Sequence, residues 1–168
     1  NSQPIINSYP SIRKWLMYML NEYETDGIIT KDKYGDWCVP PEKLELIHSE
    51  DPSRNTDGQL ISTAYGVRIL QLMEKFAKMQ NMNDDARLWE NKRKEMTDAF
   101  NHKFLTVKRG TSLRSGHVLY PDSVFYGNNT ATANLLPLAF GMVPDSIKAE
   151  VVKNLVANII NVGDGHVT

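Results

Sequence analysis

With 168 residues the chain is long enough for one domain that buries most of its apolar surface. Its 41% hydrophobic and 23% charged residues are ordinary for a globular protein, and a formal net charge of −1 gives no electrostatic basis for nucleic acid or an anionic membrane as partner. No apolar run approaches the roughly 20 residues of a membrane span, no signal peptide opens the chain, and the single cysteine, Cys38, excludes an internal disulfide framework. None of these features fixes a cellular compartment.

Helical periodicity dominates from the start. Ile12, Trp15, Leu16, Met19, Leu20 and Tyr23 form an amphipathic stripe, and Pro10 suits the first turn of that helix, where its missing N–H is not needed. A second helix is expected over residues 62–79, with Tyr65, Ile69, Leu72, Met73 and Phe76 on one face. Asn83-Asp84-Asp85 supplies a cap and acidic first-turn residues for a third, reaching about residue 104, whose inward stripe is Ala86, Trp89, Met96, Ala99 and Phe100. A short, nearly apolar helix follows over residues 130–140 and stops at Gly141. The fifth starts near Pro144-Asp145 and presents Ile147, Val151, Leu155 and Ile159. Strand signals are weak, the one extended candidate being Gly116-His117-Val118-Leu119-Tyr120.

The connections alternate. Long loops follow the first and third helices, short ones follow the second and fourth, and a glycine-bearing loop follows the fifth. Loops above about a dozen residues are uncommon unless they serve a site. Between antiparallel helices this alternation puts every long loop at one end. The second and fourth helices then begin at that end and read as inner, while the first, third and fifth carry polar faces and read as outer. The expected fold is therefore all-α, a partial (α/α)6 toroid of about five helices with long loops on one rim. A helical solenoid is the rival, yet no short internal repeat is present.

The first long loop contains Asp26-Gly27-Ile28-Ile29 and then Tyr34-Gly35-Asp36-Trp37-Cys38-Val39-Pro40-Pro41. A Gly-Asp-Trp there suits a sugar: Asp36 accepts hydroxyl hydrogen bonds, Trp37 offers a plate for ring C–H groups, and Gly35 permits close approach. The alternative is a loop tryptophan packed as a plug. Together with Ser62-Thr63-Ala64-Tyr65, this segment resembles the bacterial α-L-rhamnosidases of glycoside hydrolase family 78. The stretch Thr132-Ala133-Asn134-Leu135-Leu136-Pro137-Leu138-Ala139-Phe140-Gly141-Met142-Val143-Pro144 is similar to that family's Thr-Ala-Asn-Ala-Leu-x-Leu-x-Phe-Gly-Leu-Val-Pro pattern. Gly165-His166-Val167-Thr168 looks like the start of its Gly-His-Leu-Thr-Thr-Gly motif. One departure stands out: the family's Ser-Gln before Thr-Ala-Asn reads Thr130-Ala131 here, so a glutamine contact is missing or is supplied by Asn128 or Asn129.

The resemblance implies a hydrolase that releases terminal α-L-rhamnose with inversion. Such chemistry uses an acid on the leaving oxygen and a carboxylate base across the ring, about 6.5–9.5 Å apart. In the family the acid lies in an Asp-Glu-Arg segment before the region matched here, and the base is a glutamate after the Thr-Thr-Gly motif. The resemblance therefore assigns no catalytic residue to this chain, and Glu42, Glu45 and Glu50 read as solvated charges. It assigns sugar contacts to Asp36 and Trp37. Phe125 and Tyr126 are expected to form a second aromatic wall or to pack under the loop. His166 either approaches the site from the last loop or is simply exposed, and Tyr65 faces the pocket or the core, with core packing favoured.

No cofactor is expected and no metal: there is no His-Glu-x-x-His, no cysteine cluster, no phosphate-binding Gly-x-x-x-x-Gly-Lys and no Gly-x-Ser-x-Gly elbow, and the four histidines are scattered. Calcium at Asp51, Asp57 or Asp122 stays open, as does the tripeptide Asn128-Asn129-Thr130 as a glycosylation acceptor. The missing initiator Met and the glycine-rich tail are expected of a piece, residues 1–168 forming a single helical fragment of a larger catalytic domain. Such a piece exposes the apolar faces of its inner helices and is expected to self-associate. The competing readings are another glycosidase or lyase on the same toroid, or a helical interaction module without enzymatic activity.

Overall fold

The computed structural model describes residues 3–32, 35–36, 45, 51–112, 118–120, 122–161 and 165. Trp37, Cys38, Glu42, Glu50 and His166 lie outside them. In chain order the elements are helix α1 (Gln3–Tyr23), a tiny hairpin of β1 (Glu24–Thr25) and β2 (Ile28–Ile29), and a 3-10 turn (Pro52–Arg54). Then come α2 (Gly58–Met79), α3 (Asn83–Phe104), β3 (Leu105–Lys108), β4 (Thr111–Ser112), β5 (Val118–Tyr120), β6 (Ser123–Tyr126), α4 (Ala131–Ala139) and α5 (Lys148–Asn161). No helix among the described residues is long and apolar enough to cross a membrane.

The expected five-helix array is present, and α2 and α3 are its centre. They run antiparallel, with Arg93 Nε bonded to Glu74 at 3.0 Å and Lys103 Nζ bonded to Gln59 at 2.5 Å. The turn between them is closed by Met82 N–H donating to the Ala77 carbonyl at 2.9 Å. Asn83 is inside α3 and does not cap it; Met82 holds the cap position without a side-chain bond. The acid of that first turn serves α1 instead. Asp85 accepts from Arg13 Nε and from the Tyr9 hydroxyl, each at 2.8 Å, and Trp89 Nε1 donates to the Tyr9 oxygen at 2.9 Å. The Arg13 hydrogen bond, opposed by burial and reinforced by Tyr9, holds the Asp85 carboxyl below its ordinary range.

Pro10 lies well inside α1, not in its first turn. It therefore removes the N–H that would reach the Ile6 carbonyl four residues back, close to the helix start. The buried line of α1 is Tyr9, Leu16 and Leu20, while Trp15 is 48% exposed. The α3 stripe is as expected, with Ala86, Trp89, Met96 and Phe100 all buried.

The face of α2 is where expectation and structure part. Its buried residues are Leu60, Thr63, Ala64, Gly66, Val67, Leu70, Met73 and Ala77, and Tyr65 is 51% exposed, edge-on to Phe140. Of the expected face, Met73 is buried and Ile69 and Phe76 pack half-buried against the core, while the closest packing uses small residues beside them. A Cβ on Gly66 would lie 2.8 Å from Ile29 Cδ1 and 3.2 Å from Met96 Cε. Tyr65 is thus no core residue in this chain. Nor is α4 covered on both sides, since Leu135 is exposed. On α5, Val151 and Leu155 are buried as expected, but Val152, Val156 and Ile160 form a second, exposed apolar line at a spacing of four.

The expected extended piece holds β5, Val118–Tyr120, paired antiparallel with β4, and a further strand pair was not expected. β3 and β6 pair antiparallel, Leu105 opposite Tyr126 and Thr106 opposite Phe125, directly on the end of α3. Gly127 N–H continues the ladder to the Phe104 carbonyl at 2.9 Å. The alternation in Ser-Val-Phe-Tyr spans only four residues, too few to stand out against helical periodicity.

Candidate functional site

The N-terminus of α2 gathers the rim. Asp57 caps that helix, its carboxylate accepting from Gln59 N–H at 2.8 Å. Against this start lies Gly35. Its φ of +54° is the left-handed region open to glycine, and a Cβ there would come 3.0 Å from the Thr56 carbonyl and 3.2 Å from Gly58 N. Asp32 shapes the turn by accepting from Gly35 N–H at 3.1 Å. Asp36 follows, half-buried, and among the described residues its carboxylate has no hydrogen-bond or ion-pair partner.

From the other side comes the segment between β6 and α4. Thr130 is the N-cap of α4, its hydroxyl accepting from Ala133 N–H at 3.2 Å. The same oxygen meets the Thr56 hydroxyl at 2.6 Å. Asn128 Nδ2 donates to the carbonyls of Ser53 and Asn55 at 3.0 and 2.9 Å. The two long loops therefore meet at one rim, and Asp36 and the residues 128–130 flank the same strip of backbone, residues 53–58.

Asn134 holds the second loop. It is fully buried, and its Oδ1 accepts from Tyr126 N–H at 3.0 Å while its Nδ2 donates to Asn129 Oδ1 and to the Thr130 carbonyl at 3.0 and 2.9 Å. Asn129, at φ +67°, also takes bonds from Asn154 and Asn158 of α5. These amides were not singled out as a group in the sequence; the signal was Thr130, an N-cap residue immediately before an apolar helix. Where the family's Ser-Gln pattern is departed from, Thr130 keeps the capping hydroxyl, Ala131 is buried, the Asn128 amide N–H groups bond backbone carbonyls and Asn129 Oδ1 accepts from Asn154.

Phe125 and Tyr126 do not form one wall, because successive strand residues point to opposite faces. Tyr126 is 0% exposed, packs beside Phe100 and bonds Asn101 Oδ1 at 2.6 Å; burial pushes its phenol well above the ordinary range. It is a core residue and not a sugar contact. Phe125 is half-buried, with the Lys108 ammonium 5.7 Å from its ring centre. Trp37 and His166 lie outside the described residues; Gly165, which precedes the latter, bonds the Ile159 carbonyl at 3.0 Å. Glu45 is exposed, as a solvated charge should be. Among the described residues no group of three or more His, Cys, Asp or Glu is arranged to hold a metal ion.

Antiparallel helices, alternately short- and long-linked, with the long links joined at one rim, define a partial all-α toroid built from helical hairpins. A family model described as the bacterial alpha-L-rhamnosidase 6 hairpin glycosidase domain matches residues 1–168, and the chain belongs to that family. It is 31% identical over 170 residues to an alpha-L-rhamnosidase of Formosa agariphila, covering 96% of this chain and 15% of that protein. An alpha-L-rhamnosidase of Alteromonas sp. (strain LOR) is 29% identical over 161 residues, covering 95% of the chain and 16% of the relative. Among solved structures, alpha-L-rhamnosidase from Dictyoglumus thermophilum superposes with a TM-score of 0.71 at 27% identity, covering 96% of this chain and 16% of that one. The chain thus spans about one sixth of the length of these relatives.

Proposed function

We propose that residues 1–168 are one helical portion of a larger (α/α)6 catalytic domain in an inverting glycoside hydrolase that releases terminal α-L-rhamnose. The observation that carries this reading is that Gly35 packs on the backbone of Thr56 and Gly58 while Thr56 bonds Thr130, which sets at a loop-built rim the Asp36 carboxylate, without a hydrogen-bond or ion-pair partner among the described residues. A carboxylate so placed accepts hydrogen bonds from sugar hydroxyls, and Trp37 and Phe125 supply apolar surface for the ring. The relatives' activity supports rhamnose as the sugar. This portion binds and orients; the acid and the base come from other segments of the enzyme.

The test compares the 168-residue chain with the longer protein that contains it, using 4-nitrophenyl α-L-rhamnopyranoside. The longer protein is expected to turn over and the chain alone to be inactive, because loss of an acid–base pair removes orders of magnitude of rate. Robust turnover by the chain alone, abolished by Glu42→Gln, Glu45→Gln or Glu50→Gln, would overturn the reading. Alone, the chain also presents Tyr65, Leu135 and the Val152, Val156, Ile160 line to water, and it covers these by pairing with a second copy.

A further inference from the structure

We infer that Thr56 and Thr130 are positioning residues that set the place of Asp36 at the rim, an inference that rests on the sugar-binding reading above. Thr56 is 2% exposed between Asn55 and Asp57, both of them exposed. A threonine buried at that point has to satisfy its hydroxyl, and it does so on Thr130, 74 residues along the chain, at 2.6 Å. Thr130 does not need this contact to cap α4, since that is done by accepting from Ala133 N–H. The Thr56–Thr130 bond is therefore additional to helix capping, and it ties the two long loops to each other.

Its neighbours show what the tie controls. Asn128 reaches over the same strip to two carbonyls, Ser53 and Asn55, so residues 53–56 are fastened to the second loop at three points. On the opposite side the Thr56 carbonyl and Gly58 lie against Gly35, so closely that no side chain fits between them. Movement of Thr56 toward or away from Thr130 is thus passed by backbone contact to Gly35, and Asp36 is the next residue. The Asp32 bond to Gly35 N–H keeps that turn from absorbing the shift by unwinding. Neither threonine touches the sugar; each acts through Asp36.

Steady-state kinetics on the longer protein with 4-nitrophenyl α-L-rhamnopyranoside test this, using Thr56→Val, Thr56→Ser, Asn128→Ala, Asp36→Asn and the Asp36→Asn/Thr56→Val double variant. Thr56→Val and the exposed Asn128→Ala are expected to raise KM by about three- to tenfold with kcat within about twofold, the size of one misplaced polar contact. Thr56→Ser keeps the hydroxyl and should restore KM, and the double variant should be no worse than Asp36→Asn alone. A lowered melting temperature with unchanged KM in both Thr56→Val and Asn128→Ala, or a further KM rise in the double variant, would overturn the inference. Hydrogen exchange of a peptide covering residues 31–36 gives a readout independent of turnover: faster exchange in Thr56→Val but not Thr56→Ser supports the tie, and equal exchange overturns it. If the wild-type longer protein does not hydrolyse the rhamnoside, the hydrolase reading fails while the exchange result still decides the tie.

Discussion

Replacing Asn134 by Ala removes three hydrogen bonds at once, and they are not of equal weight. The Tyr126 N–H is buried and has the Asn134 oxygen as its partner, so its loss leaves a donor unpaired, at about 1–3 kcal/mol. The other two acceptors retain partners: Asn129 Oδ1 keeps the bond from Asn154 at 2.7 Å, and the Thr130 carbonyl keeps that from Asn134 N–H at 3.3 Å. Each of those losses is then near the low end of about 0.5–1.5 kcal/mol. Asn134→Ala should destabilise by about 2–4 kcal/mol, lowering Tm by about 5–15 °C for a domain of this size. Urea and thermal melts of the chain followed by far-UV circular dichroism measure it. Asn134→Asp sharpens the test, because it keeps the acceptor for Tyr126 but turns a carboxylate toward two oxygens. Burial among acceptors raises that carboxyl's pKa in the folded state, so the protonated form is the compatible one. Its stability relative to Asn134→Ala should therefore rise as pH falls through the raised value. A loss under about 0.5 kcal/mol for Asn134→Ala, the range of ordinary surface changes, would refute the idea that this amide holds the rim.

Two glycines give a paired test of backbone against packing. Gly27→Ala meets a φ of +80° and a Cβ contact of 2.6 Å with Ala99, and should lose about 2–4 kcal/mol, whereas Gly141→Ala at φ +65° has open space and should lose about 1 kcal/mol, both read from urea midpoints. Asp85 supplies a pH prediction: its depressed carboxyl adds stability that is complete above the unfolded value of about 3.9 and is lost as pH falls through the lower folded value. Asp85→Asn should flatten that acid limb in melts between about pH 2 and 5. Ile160→Lys, at a residue 61% exposed, should shift the chain toward monomer in light scattering without lowering Tm.

The number, order and antiparallel linkage of the helices were legible because apolar periodicity and loop length are local properties. The end of α3 matched, as did its buried Trp89, Met96 and Phe100, while the cap expected at Asn83 fell on Met82. What escaped were features that depend on a neighbour. Ala64, Gly66 and Ala77 make the close face of α2, but small residues carry no amphipathic signal until α3 and Ile29 are placed against them. Tyr126 looked like a rim aromatic beside Phe125, and only the four-residue register with β3 turns one inward and the other outward. Asp36 was legible as a carboxylate beside a glycine; the hydroxyl tie behind it was not, since Thr56 and Thr130 are 74 residues apart.

A crystal structure of the longer protein with L-rhamnose bound tests the central claim most directly. The sugar should lie beside residues 35–36 at the start of α2, with an Asp36 carboxylate oxygen about 2.5–3.0 Å from a ring hydroxyl. Rhamnose found instead beside the turn between α2 and α3, or at this rim with no contact to Asp36, would contradict the account.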